Sequence, residues 1–138
     1  MKVSRFRPLR VLDFYDLEVQ PRHQYLMPVF RSNPLLLQSL ADDPFSFTMV
    51  EDGKPVASCG VLPNGALWIL FGPDMKRHML RFVRYGLAMM RIYGRPTWAE
   101  IDRTNKHAVR LALTAGLRKV KIAPKGVMDI WAYYPNAS

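Results

Sequence analysis

Basic, acidic and imidazole side chains cluster at two places in this sequence, near residue 77 and near residue 100. Lys76, Arg77 and His78 follow an apolar run, residues 66–71, and open a stretch of helical period. A strand running straight into a helix leaves unpaired N–H groups and the positive end of the helix dipole at the junction, a natural seat for phosphate. Strand alternation through residues 97–101 puts Trp98, Glu100 and Asp102 on one face and Ala99 and Ile101 on the other. His78 and His107 lie early in their helices, where the N-terminal field disfavours the imidazolium; a neutral imidazole can accept a proton. Trp131 and Tyr133 share a face of the last strand, as pocket lining or as core. Each of these has a plainer alternative. The arginines can be solvated, Glu100 can pair with one of them, and the histidines can be surface residues.

The elements that must position these groups run from Gly65 to Gly94. Residues 66–71 read as a buried strand, Gly72-Pro73-Asp74 turns the chain, and Asp74 can cap the helix beyond it. Met75, Met79, Phe82/Val83, Leu87, Met90 and Tyr93 recur at the steps of one helix face; Arg77, Arg81, Arg84, Arg91 and Arg95 recur on another. Upstream, residues 2–8 form a short strand and residues 9–18 enter a helix at or before Asp13. Pro21 and Pro28 break up the next part. Asn33-Pro34 starts a short helix that ends near Asp42-Asp43-Pro44. Residues 45–50 and 55–62 form a hairpin around Asp52-Gly53, and residues 66–71 complete a three-strand meander. Beyond the long helix come a strand at 97–101, a helix at 105–115 closed by Gly116, and strands at 118–123 and 127–134 joined across Pro124-Lys125-Gly126. This is an α+β sheet domain with a crossover helix.

The chain's 138 residues suffice for one domain, 1–138, with a single core. Twenty Lys+Arg against eleven Asp+Glu give a net charge of +9, dispersed rather than gathered in a tail, which favours an anionic partner around a groove. No apolar run is long enough to span a bilayer, and the basic N-terminus has no apolar stretch of the secretory kind. One cysteine, Cys59, excludes an internal disulfide and suits a reducing, cytoplasmic compartment; with no histidine near it in sequence, it reads as a buried strand residue. His23, His78 and His107 show no metal-ligand spacing, and no glycine-rich phosphate loop is present. Nucleic-acid binding ranks last, because no aromatic residues interleave the arginine stripe toward solvent.

Asn105, Ala108, Val109, Leu111, Gly116 and Leu117 fall in step with a motif of the GNAT acyltransferase superfamily, and Phe6-Arg7-Pro8 looks like that family's first-strand Arg-Pro. In the order of its elements nearly the whole chain resembles that family. The resemblance implies a central, mostly antiparallel twisted sheet of about six to seven strands, with a parallel splayed pair and flanking helices. It implies an acyl-coenzyme A-dependent N-acyltransferase that moves an acetyl or other acyl group from acetyl-CoA to an amine, a protein amine among the candidates. The backbone of Ile69, Leu70 and Phe71 would then pair with the pantetheine arm. Met75, Lys76, Arg77 and His78 would hold the pyrophosphate, and Asn105 would lie near the thioester. Glu100, beside the splay, would take the amine proton, with His107 as the other candidate base.

The sequence departs from the family in two places. Residues 73–79 contain no glycine, Pro73 has no N–H, and Asp74 adds a negative charge. The tyrosine that commonly protonates the leaving thiolate falls at Ala112. Either the enzyme is divergent or the fold serves another purpose. The second case is a catalytically silent, phage-encoded binding protein acting on a host or virion protein; in size the chain is similar to GNAT-like proteins of short-tailed phages.

Overall fold

A computed structural model describes residues 4–73, 75–122 and 126–134. Lys2 and Val3 of the expected first strand, the expected cap Asp74 and the expected turn residues Pro124 and Lys125 lie outside the described residues. The chain begins with β1 (Ser4–Pro8) and α1 (Asp13–Asp16), then a 3-10 turn (Pro21–Leu26) that runs into α2 (Met27–Arg31). Helix α3 (Pro34–Asp42) starts where Asn33 accepts the Leu36 N–H on its side chain, with Pro34 at the first helical position. Strands β2 (Phe47–Glu51) and β3 (Lys54–Val61) are joined by Asp52 (φ 50°) and Gly53 (φ 81°), the left-handed pair that a two-residue hairpin turn needs. Then come β4 (Leu67–Phe71), a 3-10 turn (Met75–His78), α4 (Met79–Tyr93), β5 (Thr97–Asp102), α5 (Lys106–Thr114), β6 (Arg118–Lys121) and β7 (Met128–Tyr133).

The strands form two antiparallel sheets, β1-β2-β3-β4 and β5-β7-β6. Among the described residues one parallel bridge, Ala66 to Trp98, joins them, reinforced where the Trp98 N–H donates to the Gly65 carbonyl at 3.0 Å and its indole to the Asn64 carbonyl at 3.1 Å. The α+β class and the splayed parallel pair are as expected from the sequence. The seven strands fit the expected six to seven, and the splay parts them into two sheets because β4 and β5 meet only at their starts.

Apolar packing covers both faces of the first sheet, giving two clusters where one core was expected. Phe45, Phe47, Met49, Met75, Phe82 and Met90 pack toward α4, in a cluster that continues through Ala112, Leu117 and Trp131. On the other face, Phe14, Phe30, Leu37 and Leu40 from α1–α3 enclose Trp68 and Leu70. Each such buried side chain contributes about 1.5–3 kcal/mol. Three arginines of the stripe that runs along α4 and past its ends are not simply solvated. Arg77 pairs with Glu51 at 2.7 Å, Arg81 donates to Ser4, and Arg95 pairs with Asp43 at 2.7 Å.

A polar network runs through the first sheet. Arg7, Thr48 and Ser58 stand opposite one another on β1, β2 and β3. The Arg7 guanidinium grips both Asp13 oxygens at 2.8 and 2.7 Å, and the Thr48 hydroxyl and the Arg10 N–H donate to the same carboxylate at 2.7 and 2.9 Å. Burial pushes the Asp13 carboxyl up, but Arg7, the Arg10 N–H and Thr48 together hold it below its ordinary value.

Helix α5 closes on Gly116 at φ 87°. The Leu117 N–H reaches the Ala112 carbonyl at 2.9 Å and the Gly116 N–H the Leu113 carbonyl at 3.1 Å, the paired bonds of a Schellman cap. A Cβ at Gly116 would meet nothing closer than the Tyr133 ring at 3.6 Å, so the first cost of substitution is backbone strain. Gly116→Val is expected to lower stability by about 1–3 kcal/mol in denaturant unfolding. An unchanged midpoint would mean that the cap bears no strain.

Candidate functional site

Beyond the Ala66–Trp98 bridge, β4 and β5 diverge and leave a cleft between the sheets. Backbone alternation decides what faces it. The Gly72 N–H bonds the Val56 carbonyl and the Leu62 N–H the Ala66 carbonyl, so the even-numbered residues of β4 turn their backbone groups toward β3. Ile69 and Phe71 therefore turn theirs to the cleft. Leu70 does not: its backbone faces β3 and its side chain is fully buried. On β5 the Arg103 N–H bonds the Val127 carbonyl, which sets the odd residues toward β7 and turns the backbone of Glu100 to the cleft.

The far end of β4 is partly covered. The Gln20 N–H donates to the Phe71 carbonyl at 2.7 Å and its amide to the Gly72 carbonyl at 3.0 Å. This close approach requires glycine: a side-chain carbon at Gly72 would lie 2.8 Å from the Val56 oxygen and 3.1 Å from that of Glu18. Leu67 lies beside the bridge, so Ile69 is the β4 residue within the open splay whose cleft-facing N–H and C=O have no partner among the described residues.

The junction beyond β4 is a 3-10 turn, and α4 begins at Met79, four residues later than the periodicity suggests. The Met75 side chain is fully buried in the core. Lys76 is exposed. Both Arg77 and His78 pair with Glu51, a carboxylate with 7 % exposure at the end of β2. Glu51 was missed by sequence reasoning. It lies 26 residues from Arg77, beside a hairpin turn where an acid looks like ordinary turn chemistry.

Glu100 is exposed and makes no ion pair among the described residues. Asp102 serves the turn before α5, accepting from the Thr104 N–H at 2.8 Å and hydroxyl at 2.6 Å, and these bonds lower its pKa. Asn105 caps α5 by accepting the Ala108 N–H at 3.2 Å, and His107 is exposed in the first turn. Ala112 offers neither acid nor hydroxyl; it packs in the core with Leu117 and Trp131. Trp131 and Tyr133 belong to that same packed face. The buried Cys59 thiol is pushed up to about 12 by desolvation, which removes it as a nucleophile. Among the described residues no group of His, Cys, Asp and Glu could hold a metal ion, and no helix is long and apolar enough to cross a membrane.

This order of elements, with a splayed β4/β5 pair and a helix leading away from β4, defines the GNAT fold. Solved structures share it over most of their length. The ribosomal-protein-S5-alanine acetyltransferase of Vibrio fischeri superposes with a TM-score of 0.67 at 14% identity, covering 96% of this chain and 93% of its own. The ribosomal-protein-S18-alanine N-acetyltransferase of Escherichia coli gives 0.60 at 15%, covering 94% and 91%. A putative acetyltransferase of Salmonella typhimurium, solved with its cofactor acetyl-CoA, gives 0.61 at 11%, covering 98% and 95%. At these identities the likeness establishes the fold. No protein-family model and no curated protein matches the sequence.

Proposed function

We propose that this protein is an acyl-coenzyme A-dependent N-acyltransferase. The observation that carries the reading is the open backbone edge at Ile69, facing the backbone of Glu100 across the splay. An unpaired N–H and C=O on a strand edge suit the amides of a pantetheine arm, as a further strand would. The phosphate end fits less completely. Lys76 is available, and Arg77 is half-exposed although paired with Glu51, while Pro73 contributes no N–H. When bound, acyl-coenzyme A supplies an activated acyl group. Ile69 orients it through the backbone, and Lys76 and Arg77 screen its phosphates. Glu100 takes the proton that an ammonium must lose before its nitrogen can attack. With Ala112 where a tyrosine would stand, the proton for the departing thiolate comes from another group or from water. A lone cysteine suits a reducing cytoplasm.

Coenzyme A is expected to raise the melting temperature, because a ligand that binds only the native state stabilises it by mass action. Lys76→Glu with Arg77→Glu is expected to remove most of that rise. No rise at millimolar coenzyme A in low salt would sink the proposal. A second reading is a non-catalytic binding protein on the same fold. The pairing of Arg77 and His78 with Glu51 favours it, because an internal carboxylate then sits where the phosphates would be drawn. Acetyl-coenzyme A turnover with a panel of amines separates the two.

A further inference from the structure

The face of the second sheet turned away from α5 carries charge in a fixed register. Glu100 on β5 stands opposite Ile130 on β7, and Ile130, past a bulge between Lys119 and Lys121, stands opposite Lys121 on β6. One row along, Trp98 stands opposite Ala132, and Ala132 opposite Arg118. Residues opposite one another on a ladder share a face, so each row runs from the edge of the cleft to a cation. The companion face is filled, with Ala99, Ile101 and Trp131 packed against the α5 side. The charged face is open at Glu100, Met128, Arg118 and Lys121, all exposed, while Ile130 is half-buried and Ala132, between Trp98 and Arg118, is buried.

The cations of β6 divide by face. Lys119 points to the packed side, lies 3.6 Å from the Asp129 carboxylate and sits over the Trp131 ring at 5.7 Å. Its role is structural. Lys121 and Arg118 make no ion pair among the described residues; Arg118 donates only to the Leu117 carbonyl at 3.0 Å. Asp102, the other acid on the open face, is held by Thr104. What is left is one carboxylate beside the cleft and two cations about 10 Å away, two strand spacings across the sheet.

We propose that this face docks the acceptor as an acidic polypeptide segment, its reactive amine at Glu100 and an acidic residue about three positions along at Lys121 and Arg118. The inference rests on the acyl-transfer reading for the role given to Glu100. The spacing matches an extended chain, which advances about 3.3 Å per residue. A shallow, open sheet face suits a polypeptide, since small ligands are gripped in concave pockets. Charge selects the occupant. A second copy laid on this face would bring its own Arg118 and Lys121 to an already cationic edge, whereas an acidic segment meets complementary charge.

The test measures binding of fluorescent hexapeptides by anisotropy at low ionic strength, where surface charge is least screened. Each peptide carries one lysine, with glutamate, glutamine or a second lysine three positions away. The glutamate peptide is expected to bind about tenfold more tightly than the lysine peptide. Arg118→Glu with Lys121→Glu, in a protein of unchanged melting temperature, is expected to reverse that order. Lys106→Glu with Arg110→Glu, an equal charge change at exposed sites on α5, should preserve it. Equal binding of all three peptides overturns the proposal, as does loss of preference from either double variant alike, which would mark mere attraction to net charge. Acetyl transfer is followed separately. Selectivity without transfer overturns the enzyme reading and keeps the docking face; transfer without selectivity does the opposite.

Discussion

Glu100→Gln is expected to lower the transfer rate by about 10²–10⁴-fold while folding and coenzyme A affinity stay near the parent values. The amide keeps the shape of the side chain but cannot accept a proton. The side chain is exposed and makes no ion pair among the described residues, so its replacement removes no structural bond. The acidic limb of the pH–rate profile, which reports protonation of the base, should vanish with it. A structural carboxylate would give the reverse pattern, lost stability with activity falling only in proportion to folded protein. Activity within a few-fold of the parent, in a stable variant, would remove Glu100 from the chemistry and direct attention to His107.

The largest effect on stability is expected at Asp13. Asp13→Ala leaves the Arg7 guanidinium, 16% exposed, without its bidentate partner and takes an acceptor from Thr48, at a cost of about 3–5 kcal/mol in denaturant unfolding. Its folded pKa is depressed, so this contribution is fully present above the ordinary carboxylate value, near 4, and is lost as pH falls through the folded value. The parent should lose stability steeply on the acid side, and Asp13→Asn should flatten that loss. A cost under about 1 kcal/mol would show that the network is no more than surface pairing.

Local signals were legible in the sequence. Asn33-Pro34 starts α3, Asp52-Gly53 turns the first hairpin and Gly116 ends α5, because each depends on a residue's own backbone preference or on a bond to a near neighbour. Long-range pairing was not. Asp13 reads locally as a helix-entry acid, yet it is the buried partner of Arg7 and, across 35 residues, of Thr48. Glu51 reads as a turn residue, yet it binds the two side chains at the head of α4. The late start of α4 goes with the same long-range pairing, since Arg77 and His78, in the 3-10 turn before it, are both paired with Glu51. Period alone could not distinguish a 3-10 turn carrying Met75 into the core from a first turn of α-helix. For the cleft, alternation showed that Glu100 and Ala99 face opposite ways. Only the pairing register showed that Ile69, and not Leu70, turns its backbone to the opening.

On the proposed reading, acyl-coenzyme A lies along the edge of β4 in the splay. Amide hydrogen exchange, with and without saturating coenzyme A, tests it most directly. Coenzyme A bound there is expected to slow exchange at the Ile69 amide, whose N–H gains an acceptor, and around Lys76 and Arg77, with little change in β6. Exchange at Ile69 unaltered by coenzyme A, or protection confined to surfaces away from the β4/β5 cleft, would contradict it.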